Sequence, residues 1–333
     1  MRREIAITLI LIVIVVAIAC CGCITNTNTN TNTNTNQGSG GEGSRIATKM
    51  KIKIGALPNE ATLPYYVAAQ EGIFTNHGLD VEIIPFQSAM ERDSALIAGE
   101  IDGGGNDPVS VALMRNAGYD LKIVSLGLQA TPDKMRFAIL ASPASNISSV
   151  ADLNGKKIAI SRNTIIDYIT DTLVGDTAVK VKKVEVKKMP LRMQMLLSNE
   201  IDAATLPEPL ASYALYKGAK LVISDSMLNQ TISPGVIIFR ADFLNKNPEA
   251  VHEFLAAYGE AVNRINANPD KYRALLVEKT HIPPEIASNY TIATYLQPQA
   301  YPKTDFDTVI HWLRAKNLLH RTVSYEDTIW RGE

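Results

Sequence analysis

The tripeptide Glu-Ile-Asp occurs at Glu100–Asp102 and again at Glu200–Asp202, and its surroundings recur with it. The first copy runs from an apolar stretch at Ala95–Ala98 through a polar break into Gly103 and ends at Asp107-Pro108. The second runs from Met195–Leu197 into Ala203 and ends at Glu208-Pro209. Each reads as a helix tail, a break, a short buried strand and an acid followed by proline. A Val-Glu strand precedes each, at Val81-Glu82 and Val184-Glu185. A chain with that internal repeat is expected to form two similar α/β lobes, and two lobes imply a cleft.

The 333 residues suffice for two domains of ordinary size. A net charge of −1 provides no basic field, so nucleic acid is not an expected partner. All three cysteines, Cys20, Cys21 and Cys23, lie near the N-terminus. The rest of the chain therefore has no disulfide scaffold, thiolate zinc site or cysteine nucleophile. No cofactor is expected.

Arg2 and Arg3 precede an apolar run from Ile5 to Ala19, broken only by Thr8. The run is short for a membrane span of about 20 residues and suits an export signal. The cysteines after it resemble a lipobox. Cys23, preceded by Gly22, is the expected lipidation site, with Cys20 after Ala19 as the alternative. An uncleaved helical anchor is the competing reading, and both hold the body outside the cell at the membrane. Residues 24–49, including the Thr-Asn repeat Thr25–Asn36, are too polar to bury a core and read as a disordered tether.

From Lys51 onward strands and helices alternate, which favours largely parallel sheets covered by helices. Strands are expected at Lys51–Ala56, Val81–Phe86, Ile101–Gly103, Leu121–Leu126, Lys157–Ser161, Val184–Lys188 and Ile201–Thr205. Thr164 and Asp167 have the spacing of a capping box. Arg136–Ala141 and Gly235–Arg240 read as paired crossover strands forming a hinge. One lobe then comprises residues 50–134 plus 241–333, and 135–240 comprise the hinge strands and the other lobe. From Asn247 onward the chain is expected to be helical.

Four stretches resemble one known family. Leu63–Glu82, Ala98–Gly105, Val150–Ala159 and Ile201–Pro209 are similar to the nitrate/sulfonate/taurine and thiamine-precursor class of solute-binding proteins. The resemblance implies a two-lobed type II periplasmic-binding fold. It also implies a small-molecule ligand held between the lobes and an ABC permease, with its ATPase, as the partner that receives it.

In open α/β sheets, ligands bind beyond the carboxyl ends of strands, where helix N-termini offer free N–H groups. The loops at those positions give the candidate residues Asn59, Glu60, Gln87, Ser88, Asn106, Asp107, Ser161, Arg162, Asn163, Thr164 and Glu208. Asp107 and Thr164 read equally well as plain helix caps, and Glu208 as a surface turn. Arg162 is the one cation in these loops and would clamp an anion bidentately. Glu60, Asp107 and Glu208 would repel a bare oxyanion, so a zwitterion or an aminopyrimidine would use both signs. Sulfonate, taurine and nitrate-like solutes are the expected substrates, with a thiamine pyrimidine precursor as the alternative. A pyrimidine-synthase-like enzyme and a membrane-coupled sensor are rivals of other classes. Neither a Ser-His-Asp order nor a phosphate loop is present to support catalysis.

Overall fold

The computed structural model describes residues 49–175 and 178–332. The signal, lipobox with Cys23 and nearly all of the tether lie outside the described residues. The described residues form one compact unit. Among the described residues no helix is long and apolar enough to cross a membrane.

Ten strands build two sheets. They are β1 Met50–Ala56, β2 Leu79–Pro85, β3 Gly103–Asn106, β4 Leu121–Leu126, β5 Phe137–Ala141, β6 Lys157–Ile160, β7 Lys182–Glu185, β8 Ala203–Pro207, β9 Lys220–Ser224 and β10 Val236–Arg240. The first sheet has the order β2-β1-β3-β10-β4 and the second β7-β6-β8-β5-β9. The two orders are the same plan. In each, two parallel neighbours flank the leading strand, and one antiparallel strand lies fourth. Even the register irregularity recurs, at Ile237/Ile238 in β10 and at Ile139/Leu140 in β5.

The repeated tripeptide anchors this plan. A left-handed residue, Gly99 or Asn199, ends the preceding helix. The Asp102 carboxylate then accepts the Lys53 N–H at 2.8 Å, and that of Asp202 accepts the Lys157 N–H at 2.8 Å. Each aspartate's own carbonyl accepts an N–H from the antiparallel side, Arg240 in one sheet and Ser142 in the other. The acid thus ties the strand with two parallel neighbours, β1 or β6, to the segment that follows the tripeptide. The strands themselves start two residues later than the sequence suggests, at Gly103 and Ala203, and the buried Ile101 and Ile201 plug the layer beneath. Small residues are required there. A Cβ on Gly103 would lie 2.3 Å from the Ile238 carbonyl oxygen, and one on Gly104 would lie 2.4 Å from that of Gly55.

Two expectations are corrected. The segments Arg136–Ala141 and Gly235–Arg240 are not paired with one another. Strand β5 lies between β8 and β9, and β10 between β3 and β4. Both are buried along most of their length, so each fills the interior of its own sheet. The two connections meet just outside the strands, where Gly127 N–H donates to Gly235 O at 2.8 Å and Gly235 N–H to Leu128 O at 2.7 Å. Strand β9 was also not foreseen. Finally, residues 289–302 are irregular rather than helical, in a stretch punctuated by Pro298 and Pro302.

Beneath the first sheet, Tyr65, Phe74, Phe239, Phe254 and Tyr258 form an aromatic core with ring centroids 5.4–5.8 Å apart. The helix Pro248–Ala267 supplies two of these rings and buries Val251, Val262 and Ile265 beside them.

Candidate functional site

Where the chain crosses between sheets, loops from both converge on one buried polar group. After β1, the Asn59 side chain accepts the Ala61 N–H at 3.1 Å and caps a single 3-10 turn, Glu60–Thr62. That turn leaves Glu60 only 3 % exposed. After β8, Glu208 is 7 % exposed, with Ser212 Oγ donating to Oε1 at 2.7 Å and Tyr290 OH to Oε2 at 2.8 Å. Between the two acids stands Lys134. Its Nζ is 3.4 Å from Glu60 Oε1, 3.9 Å from Glu208 Oε2 and 3.7 Å from the centre of the Tyr290 ring. Tyr295 OH fixes the Glu60 turn by donating to its main-chain carbonyl at 2.8 Å.

Arg136 secures the crossing itself. Its Nη1 donates to Leu128 O at 2.8 Å and Ser233 O at 2.6 Å, one carbonyl from each connection. Asp225 accepts the main-chain N–H groups of Arg136 and Phe137 at 3.0 and 3.1 Å. The Arg136 charge also acts on Glu60 and Asp107, so the three loops share one electrostatic environment.

Burial dominates that environment. It pushes the Glu60 carboxyl up to about 7, against the pull of Lys134 and with the charge of Glu208 adding to the rise. Glu208, Asp107 and Asp225 are raised for the same first reason, with Lys134, the Ser110 N–H and Ser233 respectively opposing it most. Acids held toward neutrality in a desolvated place favour a further positive charge or a strong donor.

The remaining candidates divide. Asn106 is buried in a network around Arg92, whose guanidinium donates to Gly105 O at 2.7 Å, Asn106 Oδ1 at 2.9 Å and Asp93 Oδ1 at 2.7 Å. Asp107 caps the helix Pro108–Asn116 by accepting the Ser110 N–H at 2.9 Å. Ser88 caps Ala89–Ala98 in the same way, and Gln87 beside it is exposed. Thr164 caps Ile165–Val174, its Oγ1 donating to Ser161 O at 2.7 Å. Asp167 reaches past the cap and accepts the Asn163 N–H at 3.0 Å. Arg162 is exposed and donates to Lys183 O at 2.7 Å, apart from the buried group.

Sequence reasoning did not single out Lys134, Arg136, Tyr290, Tyr295 or Arg92 as site residues. Arg136 fell in the stretch taken as hinge, Lys134 at the very end of the first-lobe segment before it, and the two tyrosines in the stretch taken as helix. For Arg92 a signal existed. Arg192 stands one hundred residues later, and both arginines bond a carbonyl at the matching strand position, Gly105 or Thr205. A cavity of about 460 Å³ opens beside Glu208, walled by Lys134, Glu208, Ser212, Leu221, Met227 and Tyr290.

A family model described as "NMT1/THI5 like" matches residues 59–272. A Bacillus subtilis protein named as an aliphatic sulfonates-binding protein is 27 % identical over 224 residues, 64 % of each chain. Among solved structures, the periplasmic aliphatic sulphonate binding protein of Escherichia coli superposes with a TM-score of 0.70 at 18 % identity. The match covers 84 % of this chain and 92 % of that one. The desulfurization enzyme DSZB shares the fold too, with a TM-score of 0.64 at 14 % identity, over 85 % of this chain and 97 % of its own. The fold is that of the periplasmic binding proteins.

Proposed function

This chain belongs to the NMT1/THI5-like family, and from that premise we propose that it is an extracytoplasmic solute-binding protein serving an ABC importer. It takes a small charged organic solute, of the sulfonate or taurine kind, between its two lobes. The observation that carries this reading is the buried group Glu60–Lys134–Glu208–Tyr290. It draws one acid from the loop after β1 and the other from the loop after β8, so a molecule seated there touches both sheets. Seating a ligand on both lobes converts binding energy into closure.

DSZB demonstrates that the fold also supports catalysis, but nothing in this site asks for it. The acids are bound by a lysine, a tyrosine and a serine; Ser212 donates its proton to Glu208, and no histidine is among the residues that wall the adjacent cavity to complete a relay. In this reading the protein releases its solute unchanged. Its attachment to the membrane is through lipid on Cys23, and Cys23→Ser would abolish labelling by a fatty-acid probe. Persistent labelling would move the anchor to Cys20 or Cys21.

A thermal-shift screen of residues 45–333 against alkanesulfonates, taurine, nitrate, aminopyrimidines and amino acids tests the reading. At one hundred times its dissociation constant a solute adds about 2.7 kcal/mol of stability. A saturable shift with unaltered solute recovered afterwards supports binding. Turnover of the solute would instead place the protein among the enzymes.

A further inference from the structure

The group around Lys134 is built as a seat for a cation. Two carboxylates from different lobes and the face of a tyrosine ring surround one ammonium, the combination that recognises organic cations. The chain fills this seat with its own side chain, and fills it loosely. The ammonium is 3.4 and 3.9 Å from the two carboxylates, against about 2.7–2.9 Å for a charge-assisted hydrogen bond. Glu60 Oε1 is buried and makes no hydrogen bond of good geometry, so what the carboxyl receives from the Tyr290 hydroxyl and the Lys134 ammonium does not satisfy that oxygen. A buried carboxylate oxygen in that condition is costly, so it marks an unmet demand for a donor.

Charge points the same way. Glu60, Glu208, Asp107 and Asp225 stand against Lys134 and Arg136, while the nearby Arg92 is already paired with Asp93. Burial already disfavours ionisation of these four acids; an oxyanion alone would disfavour it further, whereas a cation would relieve it. Lys134 also lies on the connection between lobes, fixed by a two-bond turn with Thr131, and it lines the cavity of about 460 Å³ beside Glu208. Its long flexible stem therefore has somewhere to go.

We propose that Lys134 is a tethered stand-in for part of the ligand, and that the solute displacing it carries an ammonium group in addition to its anionic end. This inference rests on the solute-binding reading and narrows it from charged solutes with or without an amine to amine-bearing zwitterions. The displaced ammonium of Lys134 then becomes available to the anionic end of the solute.

Two measurements test it. The first is thermal denaturation of residues 45–333 carrying Lys134→Ala, in butylammonium chloride and, as controls, in butanol and sodium chloride at matched concentration. The expected result is a saturable rise in midpoint with butylammonium only, and a much smaller rise in the wild type, where the seat is filled. No rise, or an equal rise with butanol, would overturn the cation seat. The second is calorimetric titration of wild type and Lys134→Met with 2-aminoethanesulfonate and 2-hydroxyethanesulfonate. The amine should bind wild type at least tenfold more tightly than its hydroxyl analogue, and should bind Lys134→Met more tightly still. Equal affinity for the two compounds would remove the ammonium while leaving solute binding intact. Weaker amine binding by Lys134→Met would make Lys134 an anchor for the anion and overturn the stand-in. Should Lys134→Met fail to fold, the wild-type pair decides alone. Silence of both proteins toward both compounds would sink the zwitterion assignment, and the wider solute screen would then judge the binding reading separately.

Discussion

Glu60 is an acid whose titration burial carries into the neutral range. Its carboxyl titrates near 7 in the folded protein against an ordinary value of 4.5, because burial penalises the charge more than Lys134 relieves it. Between those values the folded state holds a proton that the unfolded chain has released. The stability contributed is therefore present below 4.5 and lost as pH rises through about 7. The loss is on the order of 3 kcal/mol. Glu208, Asp107 and Asp225 act in the same direction. Urea unfolding at pH 5 and pH 8 should show the decline, and Glu60→Gln should flatten it. An unchanged slope in that variant would place the titrating group elsewhere. The arginines make a contrasting pair. Arg192 is fully buried, with the Glu185 charge acting on it, and donates twice to Val186 O and once to Thr205 O. Arg192→Met should cost about 2–3 kcal/mol by orphaning those carbonyls. Arg162 is exposed, and Arg162→Ala should change stability by less than about 0.5 kcal/mol. Denaturant midpoints of the two variants decide.

Helices and strands were largely legible because their signals are local. Asp107-Pro108 announced a capped helix, and Thr164 another, and both acted as caps. What misled was partnership. The apolar segments now seen as β5 and β10 were visible as strands, but their neighbours depend on which gap in each sheet is open, a fact of tertiary packing. One contact between elements carries its own prediction. Asp171, on the helix Ile165–Val174, accepts from Trp312 Nε1 at 3.0 Å and pairs with Lys316 at 2.7 Å, both on or just past the helix Lys303–Ala315. Burial opposes its ionisation, yet Lys183 and Lys316 hold its carboxyl below the usual range. The contact latches a helix of the second sheet to the C-terminal segment. Asp171→Asn should lower stability by about 1–2 kcal/mol. It should also widen the unliganded body in small-angle scattering. A variant as compact and stable as wild type would show that the latch holds nothing.

At the scale of the molecule, the Glu-Ile-Asp repeat was the most informative reading. It foretold two sheets with one plan, and its aspartates carry matching bonds in both. The candidate site was legible in part. Glu60 and Glu208 came from loop position alone, and the structure brings those two together. Lys134, Tyr290 and Tyr295 were hidden because they reach the site from the connection and from an irregular stretch, where no periodicity marks a residue. The account's central claim is that a solute binds where these residues meet and draws the lobes together. The direct measurement is calorimetric titration of the best solute from the screen into wild type, Glu208→Gln and Tyr290→Phe. Glu200→Gln serves as the control, an exposed acid in the repeated motif away from the buried group. The account predicts at least a tenfold loss of affinity in the first two variants and none in the control. Wild-type affinity in both Glu208→Gln and Tyr290→Phe would contradict it and move the solute to another part of the molecule.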